Sequence, residues 1–148
     1  MIRSGLALAA VVYGLDRVSK WAVLDVLNLA EQPILVAPFL NLVLVHNTGV
    51  SFGLLQNDLD LGRWLLVAFA VAVIVALSVW LARATSPLLG MGLGMVIGGA
   101  AGNVTDRVLW GHVADFFDFH IGECRFCHFP VFNVADAAIV CGFALIVL

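Results

Sequence analysis

The chain has 148 residues, of which 63% are hydrophobic and 11% charged, and its mean hydropathy is +1.09. About half of the residues of an ordinary soluble domain are apolar. This composition therefore excludes a soluble domain and predicts a small integral membrane protein. The formal net charge of -3 comes without any long acidic or basic run, which argues against a nucleic-acid partner.

The first apolar segment is interrupted by charge. Residues 4–15 are uncharged, and DRVSK follows at 16–20 before WAVL resumes the apolar run. Because no small-residue cleavage site follows Leu15, we interpret residues 4–25 as a retained helix rather than a secretory signal peptide. Asp16 and Lys20 are four residues apart in the order that favours an ion pair on a helix, so a structural pair is expected.

The segment 26–61 has the pattern of strands. Its stretch ILVAPFLNLVLVHNTGVSFGLL is rich in Val and Leu and is broken at Pro38, Asn47 and Gly49. This pattern predicts a small β-sheet with turns, resting on the membrane surface. His46 is interpreted as a strand residue that faces the interface, and residues 57–63, NDLDLGR, predict a short amphipathic helix before the next span.

Two long uncharged segments follow, at residues 64–82 and 87–105. At ~1.5 Å per residue, each is long enough to cross a hydrocarbon core of roughly 30 Å. With residues 4–25 and 132–148 they make four predicted spans, which puts segments 26–61 and 106–131 on the same face of the membrane. The Lys and Arg residues show no bias that decides which face this is.

The third span carries a glycine stripe, defined as Gly90, Gly94, Gly98 and Gly102. A four-residue spacing places these glycines on one helix face and predicts close approach of a neighbouring backbone. Asp106 continues the same register and is expected to be held by that neighbour. A second row, displaced by one residue, is expected to face a cavity and consists of Gly99, Asn103 and Arg107.

Acidic side chains are predicted to converge near one depth of the membrane, and the candidates are Asp16, Asp106, Asp115, Asp118 and Asp136. Asp16 has Lys20 nearby and Asp106 has Arg107 beside it, whereas Asp115 and Asp136 have no cation within one helical turn. Two uncompensated acids that share one proton can act as the dyad of an aspartic peptidase. Spacing alone does not single out which two acids do so.

Five motifs, spread over nearly the whole chain in the family's order, resemble those of the bacterial lipoprotein signal peptidases (signal peptidase II): DRVSK at 16–20, NTGVSF at 47–52, GGAAGNVTDR at 98–107, HVADFFDF at 112–119 and FNVAD at 132–136. The resemblance implies one membrane all-α domain over residues 1–148, with four transmembrane helices, a periplasmic β-cradle and a short periplasmic helix. It implies an aspartic peptidase that cuts diacylglyceryl-modified prolipoproteins before the lipidated cysteine.

The same resemblance implies roles for individual residues. It makes Asp115 and Asp136 the catalytic pair, and the remaining expected roles are substrate binding by Asn47, Gly99, Asn103, Arg107 and Asn133, and support by Asp16, Lys20 and Asp106. It further implies a monomer in the bacterial inner membrane, with cytoplasmic termini and a site toward the periplasm. No metal or cofactor is expected, the partners are the lipidated substrate and membrane lipid, and globomycin is expected to inhibit.

Residues 119–131 are longer than the family's usual turn and contain Cys124 and Cys127, near His120 and His128. A zinc cluster or a redox pair is one interpretation, and a local disulfide or free thiols is the favoured one. Cys141 is expected to be a small packing residue in the last span.

Two other functions fit parts of the sequence. A membrane thiol oxidoreductase using Cys124 and Cys127 would require a second cysteine pair, which segment 26–61 lacks. A proton-coupled transporter using Asp136 would leave the predicted sheet and Asn103 unexplained, and the repeat symmetry common in transporters is missing.

Overall fold

A computed structural model of the chain describes residues 1–49, 59–121 and 129–148. Within these ranges the α-helices are α1 (Ile2–Trp21), α2 (Leu59–Ala82), α3 (Pro87–Trp110) and α4 (Val134–Val147). One antiparallel sheet has the order β1-β2-β3, with β1 at Ile34–Ala37, β2 at Leu40–Asn47 and β3 at Val113–Phe119. A π-helical turn, Ala22–Val26, continues α1.

Each of the four predicted spans is confirmed as helical. By length and apolar composition, the helices that qualify as membrane spans among the described residues are Asp60–Ala82 and Pro87–Trp110. Helix α4 is apolar but only 14 residues long, and α1 carries charge in its last two turns. The chain therefore has the helices of a membrane protein, while the number that cross the bilayer stays a prediction.

The sheet was predicted in part. Strands β1 and β2 lie within segment 26–61 and are joined by a turn at Pro38 and Phe39, and β2 ends at Asn47, as expected. The third strand comes instead from residues 113–119, which pair with β2 so that Asp115 lies opposite Val45. Its sequence, VADFFDF, contains two acids and lacks the β-branched pattern that marks the other two strands.

The expected separate helix at residues 57–63 is not observed, because residues 59–63 are the first turn of α2. Asp60 lies in that turn, where the positive end of the helix dipole stabilises an acid. Residues 57 and 58 of the predicted helix lie outside the described residues, as do Cys124, Cys127 and His128 with the predictions that involve them.

Close packing between α1 and α3 is confirmed along the glycine stripe. A Cβ added to Gly94 would overlap the backbone of Gly5, and one added to Gly98 would lie 3.0 Å from the Cα atom of Ala9. Only glycine permits this separation, so the stripe brings the two backbones together. Helix α4 packs on another side of α3, which makes α3 the central helix of the bundle.

We predict that Gly98→Ala destabilises the protein, because its methyl group would overlap α1 and overpacking costs ~1–3 kcal/mol. Gly14→Ala is the matched control, since no atom lies within 4 Å of a Cβ added there and alanine favours helix by ~0.5–1 kcal/mol. The thermal unfolding midpoint, measured in one detergent, should be lower than that of the wild type for Gly98→Ala but not for Gly14→Ala. Equal midpoints for the two variants would contradict this packing.

Candidate active site

Asp115 and Asp136 come from different elements and both contact one residue, Asn133. Asp115 lies on β3 and is 2% exposed, whereas Asp136 lies in the first turn of α4 and is half-buried. Asn133 donates from Nδ2 to Oδ1 of Asp115 at 2.7 Å and from its backbone N–H to Oδ2 of Asp136 at 3.2 Å. The structure therefore brings together the two acids that the family resemblance made the catalytic pair.

The motif FNVAD is the start of a helix. Asn133 is the N-cap of α4, and its Oδ1 accepts a hydrogen bond from the backbone N–H of Asp136 at 2.9 Å. With the reciprocal bond to Asp136 Oδ2, the two residues form a capping box that satisfies two free backbone donors. Helix initiation thus fixes the direction in which the Asp136 carboxylate points.

A short connection delivers Asp115 to the same place. Gly111 has a φ of 81°, a left-handed conformation that ends α3, and its N–H donates to the carbonyl oxygen of Arg107 at 3.1 Å. Strand β3 then begins at Val113. Because only two residues separate α3 from β3, Asp115 is held near the end of the central helix.

Amide groups donate to every oxygen of the two carboxylates. Asn47 Nδ2 lies 3.0 Å from Oδ2 of Asp115, and Asn103 Nδ2 lies 2.8 Å from Oδ1 of Asp136. The remaining oxygen of each acid is bound by Asn133. Neutral donors of this kind orient carboxylates without adding a charge, so the acids can still exchange protons.

The surroundings of Asp115 favour its protonated form. Burial raises the pKa of its carboxyl from 3.8 to about 6, and the nearby charge of Asp136 acts in the same direction. Hydrogen bonds from Asn47 and Asn133 and the charge of Lys20 oppose this rise. The raised pKa allows Asp115 to hold a proton beside a second acid, as one member of a carboxylate pair must.

A buried ionic cluster, consisting of Asp16, Arg17, Lys20 and Asp106, lies behind the two acids. Lys20 Nζ is 2.9 Å from Asp16 Oδ2 and 2.6 Å from Asp106 Oδ2, and Arg17 binds both acids as well. The Asp16–Lys20 pair and the holding of Asp106 by a neighbouring helix are confirmed. The expected pairing of Asp106 with Arg107 is wrong, because the carboxylate of Asp106 is bound instead by Arg17, Lys20 and the backbone N–H of Ala114.

Arg17 was missed by the sequence analysis. Its guanidinium lies between the two acids and 5.5 Å from the ring centre of Trp110. DRVSK includes this cation, but the i,i+4 rule points to Lys20 rather than to Arg17. The contact of Arg17 with Asp106 joins α1 to α3 and could not be inferred from spacing within either helix.

The ionic cluster also holds the chain just before each candidate catalytic acid. Asp106 Oδ2 accepts the backbone N–H of Ala114 at 3.2 Å, and Asp16 Oδ1 accepts that of Ala135 at 3.2 Å. These two alanines immediately precede Asp115 and Asp136 in the sequence. The expected supporting residues therefore position both elements that carry the acids.

Two residues expected to bind substrate lie elsewhere. A Cβ added to Gly99 would be 2.5 Å from the carbonyl oxygen of Ala135, so Gly99 is a contact between α3 and α4 rather than a cavity wall. Asn133 is fully buried and its amide is bonded within the protein, which puts it behind the carboxylates. The expectation that the row of Gly99 faces a cavity is therefore wrong at Gly99, because α4 covers that position, and substrate binding by Asn133 stays a prediction.

Asn47 and Arg107 are placed where a ligand can reach them. Asn47 is exposed at the end of β2, and Arg107 is half-buried on α3. Arg107 Nε is itself buried and has no hydrogen-bond partner within the described parts of the chain, so a ligand can reach only the rest of the side chain. A guanidinium near two acids can donate from its terminal nitrogens to a carbonyl oxygen.

An apolar cavity of about 430 Å³ adjoins Asp136. It lies between residues 129–132 and the α4 side chains of Val140 and Cys141. Cys141 was expected to be a packing residue, but it is an exposed free cysteine at this cavity.

His46 lies exposed on β2, as predicted, with its ring centre 4.1 Å from that of His112. Among the described residues, no cluster of three or more metal-ligand side chains is present.

The match to known proteins covers nearly the whole chain. Residues 8–148 match the family model described as signal peptidase (SPase) II. The chain belongs to the signal peptidase II family. It is accordingly a membrane-embedded aspartic peptidase that removes signal peptides from prolipoproteins, and a thiol oxidoreductase finds no support.

Two curated relatives and one solved structure are similar to nearly the whole chain. The lipoprotein signal peptidase of Methylobacterium sp. (strain 4-46) is 50% identical over 141 residues, covering 95% of this chain and 84% of the relative. The lipoprotein signal peptidase of Caulobacter vibrioides (strain ATCC 19089 / CIP 103742 / CB 15) is 46% identical over 147 residues, covering 96% of this chain and 83% of the relative. A bacterial membrane enzyme solved by the in meso method at 1.9 Å superposes with a TM-score of 0.82 at 27% identity. The superposition covers 99% of this chain and 92% of that enzyme.

Proposed function

We propose that Asp115 and Asp136 are the catalytic dyad of this signal peptidase II. The observation that carries the proposal is their shared contact with Asn133, which holds two acids from different elements at one place. An ionised carboxylate takes a proton from water, and the water oxygen attacks the scissile carbonyl carbon. The protonated partner donates a hydrogen bond to the carbonyl oxygen and stabilises its developing negative charge.

Collapse of the tetrahedral intermediate completes the reaction. The carbon–nitrogen bond breaks, and the leaving nitrogen takes a proton from the carboxyl that received it from water. Arg107 and Asn47 bind backbone carbonyl groups of the substrate and align it with the dyad, because both side chains are hydrogen-bond donors that are at least partly accessible near the acids. Asn103 contributes by orienting Asp136. No metal or cofactor enters these steps.

The substrate of this reaction is a prolipoprotein whose cysteine carries diacylglyceryl, and the bond cut is the one before that cysteine. All four helices cross the bacterial inner membrane, and the sheet lies on the periplasmic side. Apolar exposed side chains on α4 support contact with lipid, among them Val140 at 68% and Phe143 at 64% exposure. A monomer with a site that opens sideways receives the lipidated substrate without removing it from the bilayer.

Activity is predicted to fall as the pH rises through about 6. Because the raised pKa of Asp115 keeps the shared proton at lower pH, the one-proton form of the dyad is present below that value and lost above it. Above the midpoint, kcat/KM should decline up to about tenfold per pH unit. The measurement is a profile from about pH 4 to about pH 8. A constant kcat/KM across that range would contradict the prediction.

The proposed substrate is tested by direct detection of the products. The purified protein in detergent is given a prolipoprotein with and without diacylglyceryl on its cysteine, and mass spectrometry identifies the released peptide. Cleavage immediately before the lipidated cysteine is expected, and globomycin is expected to abolish it. Equal cleavage of the unlipidated form would refute the substrate assignment, and cleavage at another bond would refute the position.

A further inference from the structure

The Asn103 amide has two possible orientations with different consequences for Asp136. In the structure its Nδ2 donates to Oδ1 of Asp136 at 2.8 Å, and its Oδ1 points into the protein. The amide oxygen and nitrogen are similar in size, so a half-turn of the group costs little sterically. A turned amide would direct an oxygen at the carboxylate and replace an attraction by a repulsion. Something must therefore hold Asn103 in one orientation.

The buried ammonium of Lys20 meets this requirement. It lies 3.4 Å from Oδ1 of Asn103, and its other two contacts are with Asp16 and Asp106. An ammonium has three protons and no acceptor, so each of the three atoms that face it must be an oxygen. Lys20 is 1% exposed, which prevents water from replacing any of these contacts.

Asn133 also points a donor at Asn103, but it is less able to fix the amide. Its Nδ2 has two protons and lies near three acceptors: Asp115 Oδ1 at 2.7 Å, Asn103 Oδ1 at 3.2 Å and the carbonyl oxygen of Ala114 at 3.3 Å. The shortest of these bonds goes to Asp115. Lys20 has as many protons as acceptors, and it therefore has one available for Asn103.

We propose that Lys20 is a positioning residue whose ammonium fixes the Asn103 amide, so that Asn103 presents an N–H rather than an oxygen to Asp136. This inference rests on the proposed role of Asp136 in the dyad. It gives Lys20 an effect on the reaction beyond its ion pairs. The chain from Lys20 through Asn103 to Asp136 links the ionic cluster to the reacting carboxylate by hydrogen bonds.

Arg17 provides the matched control. It binds the same two acids as Lys20 and is also a single positive charge, but its remaining hydrogen bond goes to the carbonyl oxygen of Gly102 at 3.5 Å. Arg17→Met and Lys20→Met each remove one cation from the ionic cluster. A purely structural role for Lys20 would make the two variants behave alike, whereas positioning of Asn103 separates them.

The first test is a double-mutant cycle on turnover of a diacylglyceryl prolipoprotein in detergent. Lys20→Met is expected to lower kcat by about tenfold or more, with KM changed less than about threefold. In an Asn103→Leu background the same change should alter kcat by less than about twofold. Arg17→Met should lower kcat by the same factor whether residue 103 is Asn or Leu. Equal factors for Lys20→Met in both backgrounds would overturn the proposal.

The second test does not depend on turnover. In protein labelled with ¹⁵N-asparagine, the Asn103 side-chain amide is the NMR resonance that disappears in Asn103→Leu. Lys20→Met should shift or broaden this resonance, and Arg17→Met should leave it in place. An unchanged resonance in folded Lys20→Met would overturn the proposal, even if Asn103→Leu has no measurable turnover. Turnover by Asp136→Asn would instead refute the dyad, so the two failures are distinguishable.

Discussion

Asp115→Asn and Asp136→Asn are each expected to lower kcat for prolipoprotein cleavage by about 10⁴-fold. Asparagine retains the size of aspartate but neither accepts a proton from water nor donates one to the leaving nitrogen. The two variants should be about equally inactive, and the double variant should be no worse than either, because the acids act as one unit. Cleavage is measured by mass spectrometry with enough enzyme to detect a single turnover.

Asp118→Asn is the matched control for the dyad. Asp118 lies on the same strand as Asp115, is 7% exposed, and contacts Asn41 rather than the amides that bind the dyad. Its substitution should change kcat less than about threefold. Thermal unfolding of each variant verifies that the protein is folded, since Asp136→Asn also alters the cap of α4. Substantial turnover by folded Asp115→Asn or Asp136→Asn would end the assignment.

Local pattern was sufficient for the helices and for the glycine stripe. A four-residue repeat reports which residues share a helix face, so close approach along Gly94 and Gly98 follows from the sequence. The repeat does not say which neighbour covers each face. Gly99 was for this reason expected at a cavity, whereas α4 occupies that side of α3.

Contacts between elements were the part that the sequence could not provide. Strand β3 forms through pairing with β2, and its two acids weaken any local strand signal. The binding of Asp106 by Arg17 joins residues 89 positions apart. The acids themselves could be nominated from charge and depth, but their selection as a pair came from the family motifs and not from spacing.

The two groups of acids differ in the charge of their hydrogen-bond partners. In the ionic cluster, two acids face two cations, so all four groups can remain ionised in a buried place. The hydrogen bonds to Asp115 and Asp136 come from neutral amides, whereas those to Asp16 and Asp106 come mainly from cations. Proton transfer at Asp115 and Asp136, with Asp16 and Asp106 holding the backbone beside them, is the division of roles that we propose.

Asp106→Ala is expected to destabilise the protein by ~3–5 kcal/mol, because it leaves the buried Lys20 and the partly buried Arg17 with one acid. The change also removes the acceptor for the backbone N–H of Ala114, which precedes Asp115. A loss of this size is a large share of a typical stability of ~5–15 kcal/mol. The measurement is the thermal unfolding midpoint and the yield of folded protein in one detergent.

Asp60→Ala is the control that separates burial from charge. Asp60 also faces an arginine, Arg63 at 3.8 Å, but its side chain is 89% exposed. Water screens this pair, so its loss should cost less than about 1 kcal/mol. Equal unfolding midpoints for Asp106→Ala and wild type would mean that Asp16 alone satisfies Arg17 and Lys20. Asp106 would then be dispensable for folding, and it would be needed only to hold the segment that carries Asp115.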